Sequence, residues 1–199
     1  MKKTLLALLI AAPFAASAAD LVVNGSFEAN AQANGTWALY NNLIGWAGAP
    51  NIELRNNVAG KAFDGRNFVE LDTNRNSAMS QLLVGTAGQY ELSFWYSARP
   101  NVAAGSNDLT VSLDGGAPVT VLANTAGGNA HAWQHYSALV SFDGNALLTF
   151  SATGRSDGLG GSLDKVSFVS APVPEPQTYA LLLGGLGVIG FVARRRKTA

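Results

Sequence analysis

The stretch QYELSFWYSA, Gln89 to Ala98, decides the fold. In an extended chain Tyr90, Leu92, Phe94 and Tyr96 fall on one face, with Glu91, Ser93 and Trp95 opposite. That period of two is what a strand imposes. The run DLTVSLD repeats it, with Leu109, Val111 and Leu113 alternating against Thr110, Ser112 and Asp114. Working outward, LVVNGSF, NIELR, NFVELD, SAMSQLLV, PVTVLA, WQHYSALVSF, ALLTFSA and SLDKVSFVS are short β-rich runs parted by Gly, Asn, Asp and Pro. Asp114-Gly115-Gly116 and Asp143-Gly144-Asn145 supply hairpin turns, because Gly tolerates positive φ. No amphipathic helix interrupts them, and no internal repeat is present. About ten short strands at this spacing predict an all-β, antiparallel jelly-roll or β-sandwich domain over residues 20–170.

Both flanks of that domain differ from it. MKKTLLALLIAAPFAASAAD opens with Lys2 and Lys3, continues with an apolar run from Leu5 to Ala12, and reaches small residues at Ala16-Ser17-Ala18. This is the pattern of a signal peptide over residues 1–19, so the mature chain is exported. The chain has no cysteine, which excludes disulfides, thiolate metal sites and thiol catalysis. Seven basic against twelve acidic residues leave the segment from Asp20 to Ser170 at −5. A mildly acidic domain lacks the basic stripe that nucleic acid requires.

The far end reads PVPEPQTYALLLGGLGVIGFVARRRKTA from Pro172. Pro172, Pro174 and Pro176 favour an extended rod over residues 171–177. Residues 178–193 carry no charge and are apolar all round rather than along one stripe. As a helix they span roughly 24 Å, somewhat under the ~30 Å hydrocarbon core, and the cations at Arg194, Arg195 and Arg196 snorkel to the interface. A single C-terminal transmembrane helix over 178–193, with a basic cytoplasmic tail over 194–199, follows from this pattern.

Val173, Pro174, Glu175 and Pro176, the apolar run and the terminal arginines together resemble the PEP-CTERM sorting signal of Gram-negative bacteria. The resemblance implies recognition by exosortase, a membrane protease-transpeptidase, transient anchoring in the membrane, and delivery to the cell surface or extracellular matrix. Within the domain, LVVNGSFE (Leu21–Glu28), Trp46, YELSFWYSA and LDKVSF (Leu163–Phe168) resemble galactose-binding-like jelly rolls, a fold shared by many carbohydrate-binding modules. In such modules the acid of the first motif and the aspartate of the last strand join carbonyls around calcium. Carried over, the resemblance implies Glu28 and Asp164 as side-chain ligands of a structural calcium ion.

Catalytic patterns are missing. His131 and His135 in HAWQH lack the adjacent Glu of a zinc helix and stand roughly 13 Å apart in a strand. There is no Gly-x-Ser-x-Gly elbow, and GLGG at Gly158 precedes a strand rather than a helix. Glu53, Glu70, Asp72 and Glu91 offer carboxylates, but strand carboxylates on an outer sheet face are expected to be solvated. Aromatic residues carry more promise: Trp37, Tyr40, Trp46, Trp95, Trp133 and Tyr136 offer flat rings of the kind that stack on sugars. Trp46 and Trp95 are read as core, while Trp37 and Tyr40, in the loop ANGTWALYNN, form the candidate ligand-stacking pair. The function expected is a non-catalytic module that contacts polysaccharide. The alternatives are a structural matrix protein or adhesin without a sugar ligand and, more distantly, a glycoside-active enzyme.

Overall fold

The computed structural model describes residues 19–171, together with 183–186, 188, 189 and 194. Ten strands follow one another: β1 Thr36–Leu43, β2 Trp46–Asn56, β3 Asn67–Glu70, β4 Ala78–Val84, β5 Gly88–Ser97, β6 Leu109–Leu113, β7 Val119–Leu122, β8 Gln134–Phe142, β9 Asn145–Ala152 and β10 Ser162–Ser170. Every pairing is antiparallel. The hydrogen-bonded order is β7-β6-β9-β4-β2-β3-β10-β5-β8, with β1 beside β2. An all-β architecture of the jelly-roll kind is what the alternating sequence predicts.

One continuous ladder becomes two layers because β2 turns a corner. Its first residues, Ala47–Ala49, pair with β4, and its last, Glu53–Asn56, pair with β3. The bend falls at Pro50 and Asn51, and the Ala49–Pro50 bond is cis. Layer one is thus β7-β6-β9-β4, and layer two is β3-β10-β5-β8. Their inner faces meet where Phe94 of β5 stands edge-on to Phe150 of β9 at 5.0 Å. Phe27, Trp46, Ile52, Leu54, Met79 and Phe168 fill the same core. Trp46 is core as expected.

Two local readings are corrected. Leu21–Phe27 is irregular, with bends and turns from Val23, and not a strand; it is held to β10 by the Asp20–Val169 bridge and by bonds from Leu21 N to Phe168 O and from Val166 N to Gly25 O. There the chain runs so close to β10 that a Cβ on Gly25 would lie 1.9 Å from the Val166 carbonyl oxygen. Conversely, the expected loop ANGTWALYNN is mostly β1, the edge strand alongside β2. Its many Asn residues mask an ordinary strand, since an edge tolerates polar side chains on its outer face.

Among the described residues no helix is long and apolar enough to cross a membrane. Residues 183–186, 188, 189 and 194 are helical. The signal peptide, the Val173–Pro176 motif, most of the 178–193 segment, and Arg195 and Arg196 lie outside the described residues.

The ends of the sandwich are distinct. Ser162, Glu70 and Ser97 align across β10, β3 and β5 at one end. At the other, Ala171 N donates to Gln89 O, Gly88 stands opposite Phe142, and Gly85 N donates to Gly144 O. The chain leaves the module at this second end.

Candidate functional site

At the first end lies an open pocket of about 660 Å³. Residues 59–62, 99–102 and 129–133 wall it, and Leu159 closes one side. All of these belong to loops that leave or enter β2, β3, β5, β8 and β10. Trp133 and His131 form its aromatic wall, with ring centroids 4.7 Å apart. Both rings stand edge-on to Phe68, which lies on the outward side of β3 yet is fully buried beneath them. The Lys61 carbonyl locks this wall in place: Trp133 Nε1 donates to it at 3.1 Å and His131 Nδ1 at 2.8 Å. A carbonyl only accepts, so Nδ1 carries the proton and Nε2 accepts from the Ser162 hydroxyl at 3.0 Å. Burial pushes the His131 pKa down, which keeps the ring neutral. Gly60 makes the packing feasible: its φ is +131° and an added Cβ would lie 2.5 Å from the imidazole.

Beneath the pocket is a cluster of buried charge. Glu53 and Glu70 are cross-strand neighbours on β2 and β3, and Arg55 reaches both, with Nη2 2.5 Å from Glu53 and Nε 3.2 Å from Glu70. Arg99 Nη1 donates to Glu70 Oε1 at 2.8 Å and to the Gly158 carbonyl at 3.1 Å, while Arg99 also lines the pocket. Glu70 further accepts from Gly160 N at 2.9 Å. Asp72 Oδ2 gathers the amides of Asp157, Gly158 and Leu159. These carboxylates therefore clasp the loop carrying Leu159. Desolvation raises the Glu70 pKa to about 7 despite its two guanidinium partners, and raises that of Glu53 as well. The expectation that Glu53, Glu70 and Asp72 sit in solvent is thus corrected. Loops cover the outer face of β2 and β3, and the three are nearly or wholly inaccessible.

Glu28 and Asp164 are drawn to one loop. Glu28 Oε1 accepts from Arg66 N at 2.8 Å and Asn67 N at 2.6 Å. Asp164 Oδ2 accepts from Phe63 N at 2.8 Å and Asp64 N at 2.9 Å, and Oδ1 from Lys165 N at 2.7 Å. Calcium requires six to eight oxygens directed at one point. Here backbone amides already donate to Glu28 Oε1 and to both Asp164 oxygens, and among the described residues no group of three or more acidic, His or Cys side chains could hold a metal ion. As arranged, the pair clamps the Phe63–Asn67 loop. Burial raises the Asp164 pKa to about 7.

The expected stacking pair does not come together. Trp37 and Tyr40 are three residues apart on β1 and so point to opposite faces. Trp37 is 52% exposed, whereas Tyr40 packs on the core and donates its hydroxyl to Gln32 Oε1 at 2.9 Å. Trp95 is not core either. It lies on the outer face, stacked on Phe63 at 3.7 Å with His135 at 4.9 Å. Sequence reasoning picked out Trp133 as a candidate aromatic but missed Arg99, Lys61 and the buried acids. The available signal was charge inside otherwise apolar strands, at Glu53-x-Arg55 and Glu70-x-Asp72.

Residues 172–197 match the family described as the PEP-CTERM protein-sorting motif. The chain carries that sorting motif. No curated protein matches it. Among solved structures, the β-module is similar to TmCBM61 in complex with β-1,4-galactotriose, at 20% identity over 77% of this chain and 99% of that one, TM-score 0.48. A family 35 carbohydrate binding module from Clostridium thermocellum is 15% identical over 68% of this chain and 99% of its own, TM-score 0.41. CBM35 from Paenibacillus barcinonensis is 18% identical over 69% of this chain and 100% of its own, TM-score 0.42. These structural neighbours of the PEP-CTERM chain are carbohydrate-binding modules.

Proposed function

We propose that this PEP-CTERM chain is an exported, non-catalytic module that takes a segment of polysaccharide in the pocket beside Trp133. The 178–193 segment spans the membrane, Arg194, Arg195 and Arg196 stop it there, and an exosortase-type enzyme processes the chain at the cell surface. The observation that carries the reading is the composition of the pocket. The partly buried indole of Trp133 lines the pocket beside Lys61, Arg99, Asn101 and Asn129, the mixture of apolar plane and polar donors that a sugar ring demands. Its volume lies within the usual range for small-ligand sites. The pocket also opens at the end of the sandwich opposite Ala171, where the chain departs toward its anchor, and so points away from the membrane.

Buried and paired carboxylates argue for binding rather than hydrolysis. A glycosidase needs two acids facing a cleft, and no carboxylate lines this pocket. A glycan array probed with the exported protein and with Trp133→Ala tests the proposal. Binding to at least one glycan that the variant loses supports it. An array without a single binder sinks it and leaves the structural matrix or adhesin role.

A further inference from the structure

The outer face of layer one ends in aliphatic side chains at the exit end. Leu82 and Leu147 are direct partners across β4 and β9, 62% and 42% exposed. Val84, the last residue of β4 and opposite Asn145, is 66% exposed. Strand geometry places Val84 roughly 7 Å beyond Leu82 on the same face. Scattered exposed aliphatics are ordinary, but three adjoining ones at a sheet's end form a patch.

The position of the patch indicates what covers it. Gly85 N donates to Gly144 O, and Ala171 N to Gln89 O, so Val84, the β4–β5 and β8–β9 turns and the departing chain share one tip. From Ala171 only residues 172–177 precede the uncharged run that begins at Thr178. Fully extended, such a linker reaches at most about 20 Å. A module tethered that closely holds its tip against the bilayer surface.

We infer that Leu82, Val84 and Leu147 dock on the lipid surface, so that the module leans on this flank of its tip instead of swinging freely on the linker. The inference rests on the proposed membrane segment. Asp143 at the tip is exposed, and no Lys or Arg lies among residues 82–88 or 142–147. The contact is therefore one of apolar insertion and not of attraction to anionic headgroups, and it persists at high salt.

The chain contains no cysteine, so single labels are available. A fluorophore on Asn145→Cys, in full-length protein reconstituted into phosphatidylcholine vesicles holding headgroup-nitroxide lipid, should be quenched several-fold more than one on Asn101→Cys at the pocket end. Adding Leu82→Ser, Val84→Ser and Leu147→Ser should bring the Asn145 label down to the Asn101 level. A third label, Thr198→Cys, reports insertion through protection from an impermeant quencher outside the vesicle. A protected tail with an unquenched Asn145 label overturns the docking alone, as does quenching that the triple-serine variant retains. An unprotected tail overturns the docking and the anchoring together.

Discussion

Glu53 and Glu70 face each other across β2 and β3, both buried, with Arg55 bridging them from the same side of the sheet. Two carboxylates in register repel, and the arrangement persists because Arg55 and Arg99 supply compensating charge. Of the four groups, Arg99 alone reaches the pocket wall. The cluster thus fixes the position of a binding residue through charge held out of water.

This cluster makes stability depend on pH. Burial raises Glu70 and Asp164 to about 7 in the folded state, from ordinary values near 4 when unfolded. The folded chain then binds more protons than the unfolded one between those limits, so stability is fully present below about pH 4 and is lost as pH rises through 7. His131 acts oppositely, since its lowered pKa penalises folding as its ring becomes charged on acidification. Two acids outweigh one imidazole here. The melting temperature should be higher at pH 5.5 than at pH 8 by at least about 3 °C, the shift that roughly 1 kcal/mol produces in a domain of this size. Glu70→Gln should cut the difference by about half, because Asp164 still titrates. A profile that rises from pH 5.5 to 8 would contradict it.

The pocket and the edge strand respond differently to loss of an indole. Trp133→Ala should weaken a bound glycan by roughly 1–3 kcal/mol, by analogy with the stacking of flat bases on aromatic side chains. Because Trp133 also covers Phe68, its affinity must be measured well below the melting temperature. Trp37→Ala should leave both affinity and melting within about 0.5 kcal/mol of wild type, as exposed substitutions generally do. Calorimetry on the two variants separates them, and a loss of binding at Trp37 would move the site to β1.

The strands were readable because core and solvent impose a period of two, as in Gln89–Ala98, where Tyr90, Leu92 and Phe94 are buried. The same rule failed at Asn67–Glu70, whose four residues are all buried. Nothing local records that loops from residues 57–66 and 129–133 return to cover its outer face. The site suffered most from this, since Lys61, Arg99 and Trp133 converge only through long-range contacts. Trp37 was misplaced for the opposite reason: an Asn-rich run suggested a loop, and a strand then sent Tyr40 to the other side. The tail motif was legible in full because a sorting address is read as sequence.

Calcium should leave the module unchanged. The amides of Phe63 and Asp64 donate to Asp164 Oδ2 and those of Arg66 and Asn67 to Glu28 Oε1, and a cation at those oxygens would have to displace them. Melting curves with millimolar calcium and with a chelator should superimpose. Asp164→Ala should cost about 1–3 kcal/mol by stranding loop donors. A calcium-dependent rise in melting temperature, which mass action demands of any ion bound to the folded state, would show that the loop opens to admit the metal.

The tail admits the most direct genetic test. Deleting residues 178–199 removes the apolar run and its arginines together, while every strand among the described residues lies at or before Ser170. The truncated protein should therefore fold normally, keep its melting temperature, and move from the membrane fraction to the medium or periplasm. Glu175→Ala leaves the apolar segment and the arginines intact, so insertion should persist, since insertion depends on hydropathy and flanking charge. What should change is processing, because the Val173–Pro176 motif loses its only charge. Mass spectrometry of membrane fractions should find full-length chain accumulating in the variant. Identical fractionation of truncated and full-length protein would overturn the anchoring, and identical processing of Glu175→Ala would show that the sorting enzyme reads another part of the signal.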